Sequence, residues 1–247
     1  MFEREHHRRI AAVLESLDGD LLAANSCYFG GGTAMALRFG EYRESVDIDF
    51  LVSDLDGYRV LRQLVTGPAG IGALARPGSD LAPARELMAD RYGIRTAVRV
   101  DAVAIKFEIV LEGRIALATP TADDKLCDVA TLTPLDMATS KLLANSDRWA
   151  DSSVHSRDLI DLAMMTPSRD LLRSATEKAT AAYGDSISRD LGKAVQNLKD
   201  RPTRLDRCME ALQITAVPKA LLWQRIRSLA PKPGQGIPGS VALDSED

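Results

Sequence analysis

The stretch GGGTAMALRFGEYRESVDIDFLV, residues 30–52, constrains the fold most, because it joins a glycine-rich turn to a strand that carries two aspartates. Glycines ahead of a helical pattern leave backbone N–H groups open at the helix start, where they can bind phosphate. Thr33 is expected at the N-cap of this helix. The segment VDIDFLV alternates and is rich in branched and aromatic residues, which is typical of a strand.

Asp47 and Asp49 lie two residues apart in this strand, so their side chains are expected on one face. Val46, Ile48 and Phe50 are then expected to point into a core. Two adjacent carboxylates repel each other unless a cation lies between them, and oxygen ligands that leave room for water and phosphate suit Mg²⁺. An isolated Asp-x-Asp pair is more often the solvent side of an ordinary strand, so the interpretation depends on the glycines that precede it.

Two common phosphate-binding motifs are excluded. A Walker loop needs Gly-Lys-Ser/Thr, but Thr33 and an alanine follow Gly32. A dinucleotide-binding fingerprint needs a third glycine where Met35 stands. What remains is the pair Gly31 and Gly32 at the start of a helix, whose backbone N–H groups can bind a triphosphate.

These glycines, followed by Arg43-x-Ser45-x-Asp-Ile-Asp-Phe, resemble the nucleotidyltransferase signature of the polymerase-β superfamily, in the form found in AbiEii/AbiGii-type toxins. The resemblance implies an α/β (α+β) fold, in which a polymerase-β-like nucleotidyltransferase domain with a mixed sheet is followed by an all-helical C-terminal domain. It implies that Asp47 and Asp49 bind metal. It also implies that phosphate is bound by the following residues: Gly31, Gly32 and Thr33, with help from Arg43 and Ser45.

The resemblance also implies a third acid on a later strand. In AIKFEIVL, Glu108 stands between apolar neighbours and is expected to point away from the core, on the same face as Lys106. A third carboxylate would complete a site for two metal ions. Asp101 in VRVDAVA is the alternative third ligand, and a surface ion pair with Lys106 is the alternative role for Glu108.

A second pair of motifs lies in the helical half. Lys141, Asn145 and Arg148 fall on one helix face, and Asp158 and Asp161 fall on one face of the next helix. Taken singly, each is more often a solvated face with a salt bridge. Together they resemble the second motif pair of the toxin family. This implies that Lys141 binds the phosphates of the nucleotide, and that Asp158 or Asp161 either contacts the nucleotide or positions Lys141 and Arg148.

The pattern of elements predicts a domain of strands and helices over 1–130, which the resemblance identifies as the nucleotidyltransferase domain. It also predicts a helical domain over 131–230 and a disordered tail over 231–247, which is rich in Pro, Gly and Ser. The segment APARELMADRY, 82–92, is expected to be a helix. Thr133, with Pro134 after it and Asp136 three residues on, predicts a helix start. Further helices are expected at these positions: 153–165, 169–183, 186–200, 204–213 and 218–230.

Composition limits the class of protein. No run of 18 apolar residues is present and the charged N-terminus lacks the apolar segment of a secretory signal, so neither a membrane span nor secretion is expected. The three cysteines show neither metal nor disulfide spacing, and a cytoplasmic location is expected. His6, His7 and His155 are expected at the surface. Residues 141–230 carry 15 basic and 11 acidic residues, a weak indication of a polyanionic partner.

The resemblance implies a Mg²⁺-dependent nucleotidyltransferase of the EC 2.7.7 type, with Mn²⁺ as a possible substitute, that transfers a nucleoside monophosphate from an NTP to a hydroxyl. The implied role is that of a toxin in a toxin–antitoxin system, with the 3′ end of tRNA as the acceptor and a cognate antitoxin as a possible partner. A protein hydroxyl, a small-molecule hydroxyl and a non-catalytic nucleotide-binding module remain as alternatives.

Overall fold

The computed structural model of the protein describes residues 2–201 and 203–230; the predicted disordered tail, 231–247, lies outside the described residues. The N-terminal elements are α1 (Glu5–Ser16), α2 (Gly19–Ala24), β1 (Cys27–Gly30), α3 (Gly31–Arg38), β2 (Ile48–Val52), α4 (Leu55–Val65), β3 (Pro83–Ala89), β4 (Gly93–Val100), β5 (Val103–Leu111), β6 (Lys125–Leu126) and β7 (Val129–Ala130). The helical half contains α5 (Pro134–Arg148), α6 (Arg157–Met164), α7 (Arg169–Tyr183), α8 (Ser186–Asp200), α9 (Arg204–Ala211) and α10 (Lys219–Ser228).

The sheet is mixed, as the resemblance implied, and its five strands lie in the order β1-β2-β5-β4-β3. Strands β2 and β5 run parallel, and the other neighbouring pairs are antiparallel. In this register Asp49 lies between two partners, Gly30 on β1 and Glu108 on β5. Gly30, Asp49 and Glu108 are therefore neighbours on three adjacent strands.

Three packed aromatic side chains cover one face of the sheet, and Asp49 and Glu108 lie on the opposite face. Phe29, Phe50 and Phe107 come from β1, β2 and β5 and are fully buried. Their ring centroids are 5.5 Å and 5.7 Å apart in the tilted arrangement that aromatic rings favour. Because side chains alternate along a strand, Asp49 and Glu108 face away from this core.

The helical half packs around α5. Thr133 caps this helix by accepting a hydrogen bond from the N–H of Asp136, and Pro134 follows it, as predicted. Helices α7 and α8 have the predicted bounds. Helix α6 begins later than predicted, because a short 3₁₀ turn over Ser152–Val154 is followed by two residues of positive φ, His155 and Ser156. No helix in the described part of the chain is both long and apolar enough to cross a membrane.

Four local predictions were wrong. The segment 82–92 contains no helix: its residues Pro83–Ala89 form β3, because pairing with β4 outweighs their helix propensity. Val46 is 48% exposed, since it precedes the first paired residue of β2. Thr33 is not an N-cap: α3 begins directly at Gly31, so Thr33 lies in the first turn. His7 is fully buried, because α1 packs that side chain against the segment that precedes β2.

Candidate functional site

Gly31, at the junction of β1 and α3, lies close to Asp49 of β2. Gly31 has a φ of +68°, which L-residues rarely adopt, and a Cβ there would lie 2.6 Å from Asp49 Oδ2. Only glycine lets the backbone approach the carboxylate this closely. The first turn of α3 and one acid of the site are thus adjacent, which is the juxtaposition that the sequence motif predicted.

The carboxylates concentrate negative charge at this point. Burial raises the pKa of Asp49, and the charges of Asp47 and Glu108 raise it further, against the opposing effects of Lys106 and Lys141. Asp49 and Glu108 occupy paired positions on adjacent parallel strands, and Asp47 stands one residue before β2. The electrostatic field at Asp49 therefore favours an added cation.

Glu108 is bound by two basic side chains. Its carboxylate accepts a hydrogen bond from Lys106 Nζ at 2.7 Å, and Arg95 Nε lies 3.6 Å away. The side chain of Glu108 is 16% exposed. Asp101, the alternative third ligand, lies in the turn between β4 and β5 with its side chain 80% exposed. Glu108 therefore lies beside Asp49, whereas Asp101 lies in the exposed turn between β4 and β5.

The fit to a metal ion can be tested on these contacts. Within residues 2–201 and 203–230, no group of three or more His, Cys, Asp or Glu side chains is arranged so that it could hold a metal ion. The donor chemistry nevertheless fits a hard cation, because the available ligands are carboxylate oxygens and, after burial, the negative charges of Asp47 and Glu108 contribute to the raised pKa of Asp49. Glu108 would have to release Lys106 to take part, so the ligand set of Asp47, Asp49 and Glu108 stays a prediction.

The segment before β2 lies over the first turn of α3. Thr33 Oγ1 donates a hydrogen bond to Ser45 Oγ at 2.8 Å. A Cβ at Gly32 would collide with Arg43 Nη2 and lie 3.5 Å from Ser45 Oγ. The residues that were expected to bind phosphate are therefore together, but the hydroxyl of Thr33 and the guanidinium of Arg43 are already engaged within the protein.

A buried ion cluster joins this segment to the helical half. Asp161 is fully buried and accepts hydrogen bonds from Arg43 Nε at 2.6 Å, Arg43 Nη2 at 3.0 Å and the hydroxyl of Tyr42 at 2.7 Å. Lys141 Nζ lies 2.6 Å from Oδ2 of Asp161, the oxygen that also accepts from Arg43 Nη2. Burial alone would raise the pKa of Asp161, but the charges of Arg43 and Lys141 outweigh burial and hold the pKa well below its usual range.

Asp158 also forms an ion pair with Lys141. It accepts hydrogen bonds from Lys141 Nζ at 3.2 Å and from Arg148 at 2.6 and 2.9 Å. Burial opposes the charged form of Asp158, but Lys141 and Arg148 lower its pKa. Both aspartates thus contact Lys141, and Asp158 also contacts Arg148, while the roles expected for them in the reaction stay predictions. Lys141 itself is 6% exposed.

Sequence reasoning missed two participants. Tyr42 stands next to Arg43, but no periodicity indicated that its hydroxyl reaches Asp161, 119 residues away. His7 Nε2 lies 3.1 Å from the backbone nitrogen of Ser45, 38 residues along the chain. Neither contact leaves a local signal, because both depend on how distant segments pack.

No curated protein sequence matches the chain. A candidate nucleotidyltransferase from Helicobacter pylori is a structural neighbour at 15% identity, covering 91% of this chain and 92% of that chain with a TM-score of 0.48. The protein JHP933 from Helicobacter pylori is another, at 16% identity, 93% coverage of both chains and a TM-score of 0.48. The family model described as nucleotidyl transferase AbiEii toxin of type IV toxin–antitoxin systems matches residues 13–230. This chain therefore belongs to the AbiEii family of nucleotidyl transferase toxins.

Proposed function

We propose that this toxin transfers a nucleoside monophosphate from an NTP to the 3′-terminal hydroxyl of tRNA, with Mg²⁺ as cofactor and pyrophosphate as the leaving group. The observation that carries the proposal is the pairing of Asp49 with Glu108 across two parallel strands, in contact with Gly31 at the start of α3. In this proposal Asp47, Asp49 and Glu108 bind Mg²⁺. The ion, when bound, supplies Lewis-acid stabilisation of the phosphoryl oxygens.

The phosphate-binding part of the proposal rests on the first turn of α3. The N–H groups of Gly31, Gly32 and Thr33 belong to the unpaired donors of a helix start, and the helix dipole favours an anion there. Lys141 contributes positive charge that acts on Asp49 and, in the reaction, on the leaving pyrophosphate. Asp158 and Asp161 hold Lys141 for this role.

The acceptor hydroxyl must lose a proton as it attacks the α-phosphorus. Asp49 and Glu108 are the carboxylates available at the site to orient this hydroxyl and accept its proton.

The distribution of charge along the chain supports tRNA as the acceptor. Residues 141–230 carry a formal charge of +4, whereas residues 1–140, with 15 basic and 21 acidic residues, carry −6. A positively charged half beside an acidic catalytic half suits a polyanionic acceptor and a metal-bound nucleotide. Because the family consists of toxins of toxin–antitoxin systems, an antitoxin is a further proposed partner.

The test is to incubate the protein with total tRNA, Mg²⁺ and each of the four NTPs labelled at the α-phosphate. Asp49→Asn removes a site carboxylate, and Asp56→Asn, at a side chain 86% exposed on α4, is the matched control. We expect label on tRNA with wild type and the control but not with Asp49→Asn. Prior periodate oxidation of the tRNA 3′ end should abolish labelling.

Two results would contradict the proposal in different ways. Label on protein, or on tRNA that has been oxidised with periodate, would refute the 3′ end as acceptor. No label on any acceptor, with a folded protein that binds NTP, would refute the transferase reaction.

A further inference from the structure

Two adjacent histidines on α1 contact the backbone just before β2. His7 Nε2 lies 3.1 Å from the backbone nitrogen of Ser45, and His6 Nε2 lies 3.0 Å from the carbonyl oxygen of Val46. We propose that His6 and His7 are positioning residues that fix the Ser45–Val46 segment, and through it the phosphate-binding turn and the carboxylates, for nucleotidyl transfer. The inference rests on the proposed function. Both histidines precede residues 13–230, which the family model matches.

The contact fixes the tautomer of His7. A backbone N–H can only donate, so Nε2 of His7 must be the unprotonated acceptor for Ser45. The proton of the neutral ring is then on Nδ1, which donates to Glu41 Oε1 at 2.7 Å. His7 is fully buried, and no water is needed to satisfy either nitrogen. The arrangement therefore requires a neutral imidazole with one defined tautomer.

Glu41 is held in place independently of His7. Its carboxylate also accepts hydrogen bonds from the backbone N–H groups of Glu3 at 2.7 Å and Arg4 at 3.2 Å, which lie just before α1. Burial opposes the charged form of Glu41, but these hydrogen bonds and the one from His7 lower its pKa. A fixed carboxylate thus orients the ring of His7, as carboxylates orient histidines in other sites.

His6 makes the complementary contact. A carbonyl oxygen only accepts, so Nε2 of His6 must carry a proton to bind Val46. This hydrogen bond survives when His6 is protonated. The bond of His7 to Ser45 does not survive protonation of His7, because Nε2 would then carry a proton that faces the N–H of Ser45. The hydrogen bond between Ser45 and His7 is therefore the one that is lost when the ring is protonated.

The Ser45–Val46 segment connects the phosphate-binding turn with the carboxylates of the candidate site. Ser45 Oγ accepts the hydrogen bond of Thr33 in the first turn of α3, and Asp47 follows Ser45 by two residues. Movement of Ser45 would shift the phosphate-binding turn relative to the carboxylates. A displacement of about 1 Å in a catalytic constellation can cost about 100-fold in rate.

The charged groups around His7 determine its protonation. Burial lowers the pKa of His7 and Arg4 lowers it too, while Glu41 and Glu44 raise it, and the net shift is downward. Because the pKa of the folded state is below that of the unfolded state, this contribution to stability is present above about pH 6.5 and decreases as the pH falls below it. The contact to Ser45 is therefore formed at neutral pH.

Two substitutions separate the two nitrogens of His7. In His7→Gln the side-chain amide oxygen can accept from Ser45 without titrating, whereas in His7→Asn the shorter amide reaches only the partner of Nδ1. We expect His7→Gln to keep kcat/KM within about threefold of wild type at pH 7.5 and its acid limb to lie at lower pH. We expect His7→Asn to lose about tenfold or more at every pH. His155→Asn, in the turn that precedes α6, is the histidine control and should leave the pH profile unchanged.

A second measurement does not depend on activity. Nitrogen-15 NMR of the histidine rings should show His7 neutral with its proton on Nδ1, and the Ser45 amide signal should titrate with His7. Protonation of Nε2 in the neutral ring, or equal rates and pH profiles for His7→Gln and His7→Asn, would overturn the proposal. If His7→Asn does not fold, an acid limb of His7→Gln identical to that of wild type would overturn it. An inactive wild type would refute the proposed function, while the NMR result would still decide whether His7 binds Ser45.

Discussion

Replacing Asp161 with Asn removes the negative charge at the centre of the ion cluster between the sheet and the helices. The carboxylate receives donors from Arg43, Tyr42 and Lys141, and it is fully buried, so water cannot replace the lost interactions. Arg43 is itself 4% exposed; it would keep its hydrogen bond to the carbonyl of Glu44 and an acceptor in the remaining amide oxygen, but it would lose the opposite charge that its buried guanidinium faces. Lys141 would keep Asp158.

The expected loss of stability follows from the fact that Lys141 keeps a charged partner and Arg43 does not. Removing one partner of a buried ion pair costs about 3–5 kcal/mol, because the remaining charge stays buried without its partner. At about 2–4 °C per kcal/mol for a chain of this size, the melting temperature should fall by roughly 6–20 °C. Because the pKa of Asp161 is below its usual range, its contribution to stability is complete at neutral pH and decreases as the pH falls below about 3.9.

Urea denaturation at pH 7, followed by circular dichroism, measures this loss. The control is Asp56→Asn, which removes an aspartate paired with Arg59 at 2.9 Å on the surface. The control should cost less than about 1 kcal/mol, since exposed ion pairs contribute little. If Asp161→Asn costs no more than the control, the ion cluster does not stabilise the junction and the reasoning is refuted.

Three further substitutions test other parts of the account. Gly31→Ala should cost about 1–3 kcal/mol in urea denaturation, because φ is positive there and the methyl group would meet Asp49; unchanged stability would contradict the close approach. Asp49→Asn should raise the melting temperature in metal-free buffer, because burial and the charges of Asp47 and Glu108 disfavour the ionised form, and a decrease would contradict this electrostatic balance. Arg114→Met should lower the free energy of unfolding by about 1–3 kcal/mol, since it leaves the buried carboxylate of Glu112 without its bidentate partner; a neutral result in the same assay would show that water replaces the guanidinium.

Local patterns in the sequence predicted much of the fold. The apolar spacing and the capping residues predicted α5, α7 and α8, because helix ends are set by nearby residues such as Thr133. The alternation around Asp49 and Glu108 predicted two strands with their acids away from the core. The register that makes these acids neighbours was implied only by the family resemblance, since strand pairing is a long-range property.

The errors arose where a distant partner decides the structure. Segment 82–92 has helix-forming residues, but the free edge of β4 pairs with it. His7 is a polar residue near a charged terminus, yet Glu41 and Ser45 enclose it. The partnership of Arg43 with Asp161 spans 118 residues, so no local pattern could reveal that a proposed phosphate ligand is held by a helix of the other half.

Divalent-ion binding tests most directly the claim that Asp49 and Glu108 form the metal site beside α3. The measurement is electron paramagnetic resonance titration of Mn²⁺ with a non-hydrolysable NTP analogue, for wild type, Asp49→Asn and Glu108→Gln, with Asp101→Asn as the matched control in an exposed turn. The account predicts that wild type and Asp101→Asn bind Mn²⁺ alike and that the other two bind about tenfold more weakly or worse. Wild-type binding by Asp49→Asn and Glu108→Gln, or its loss in Asp101→Asn alone, would contradict it.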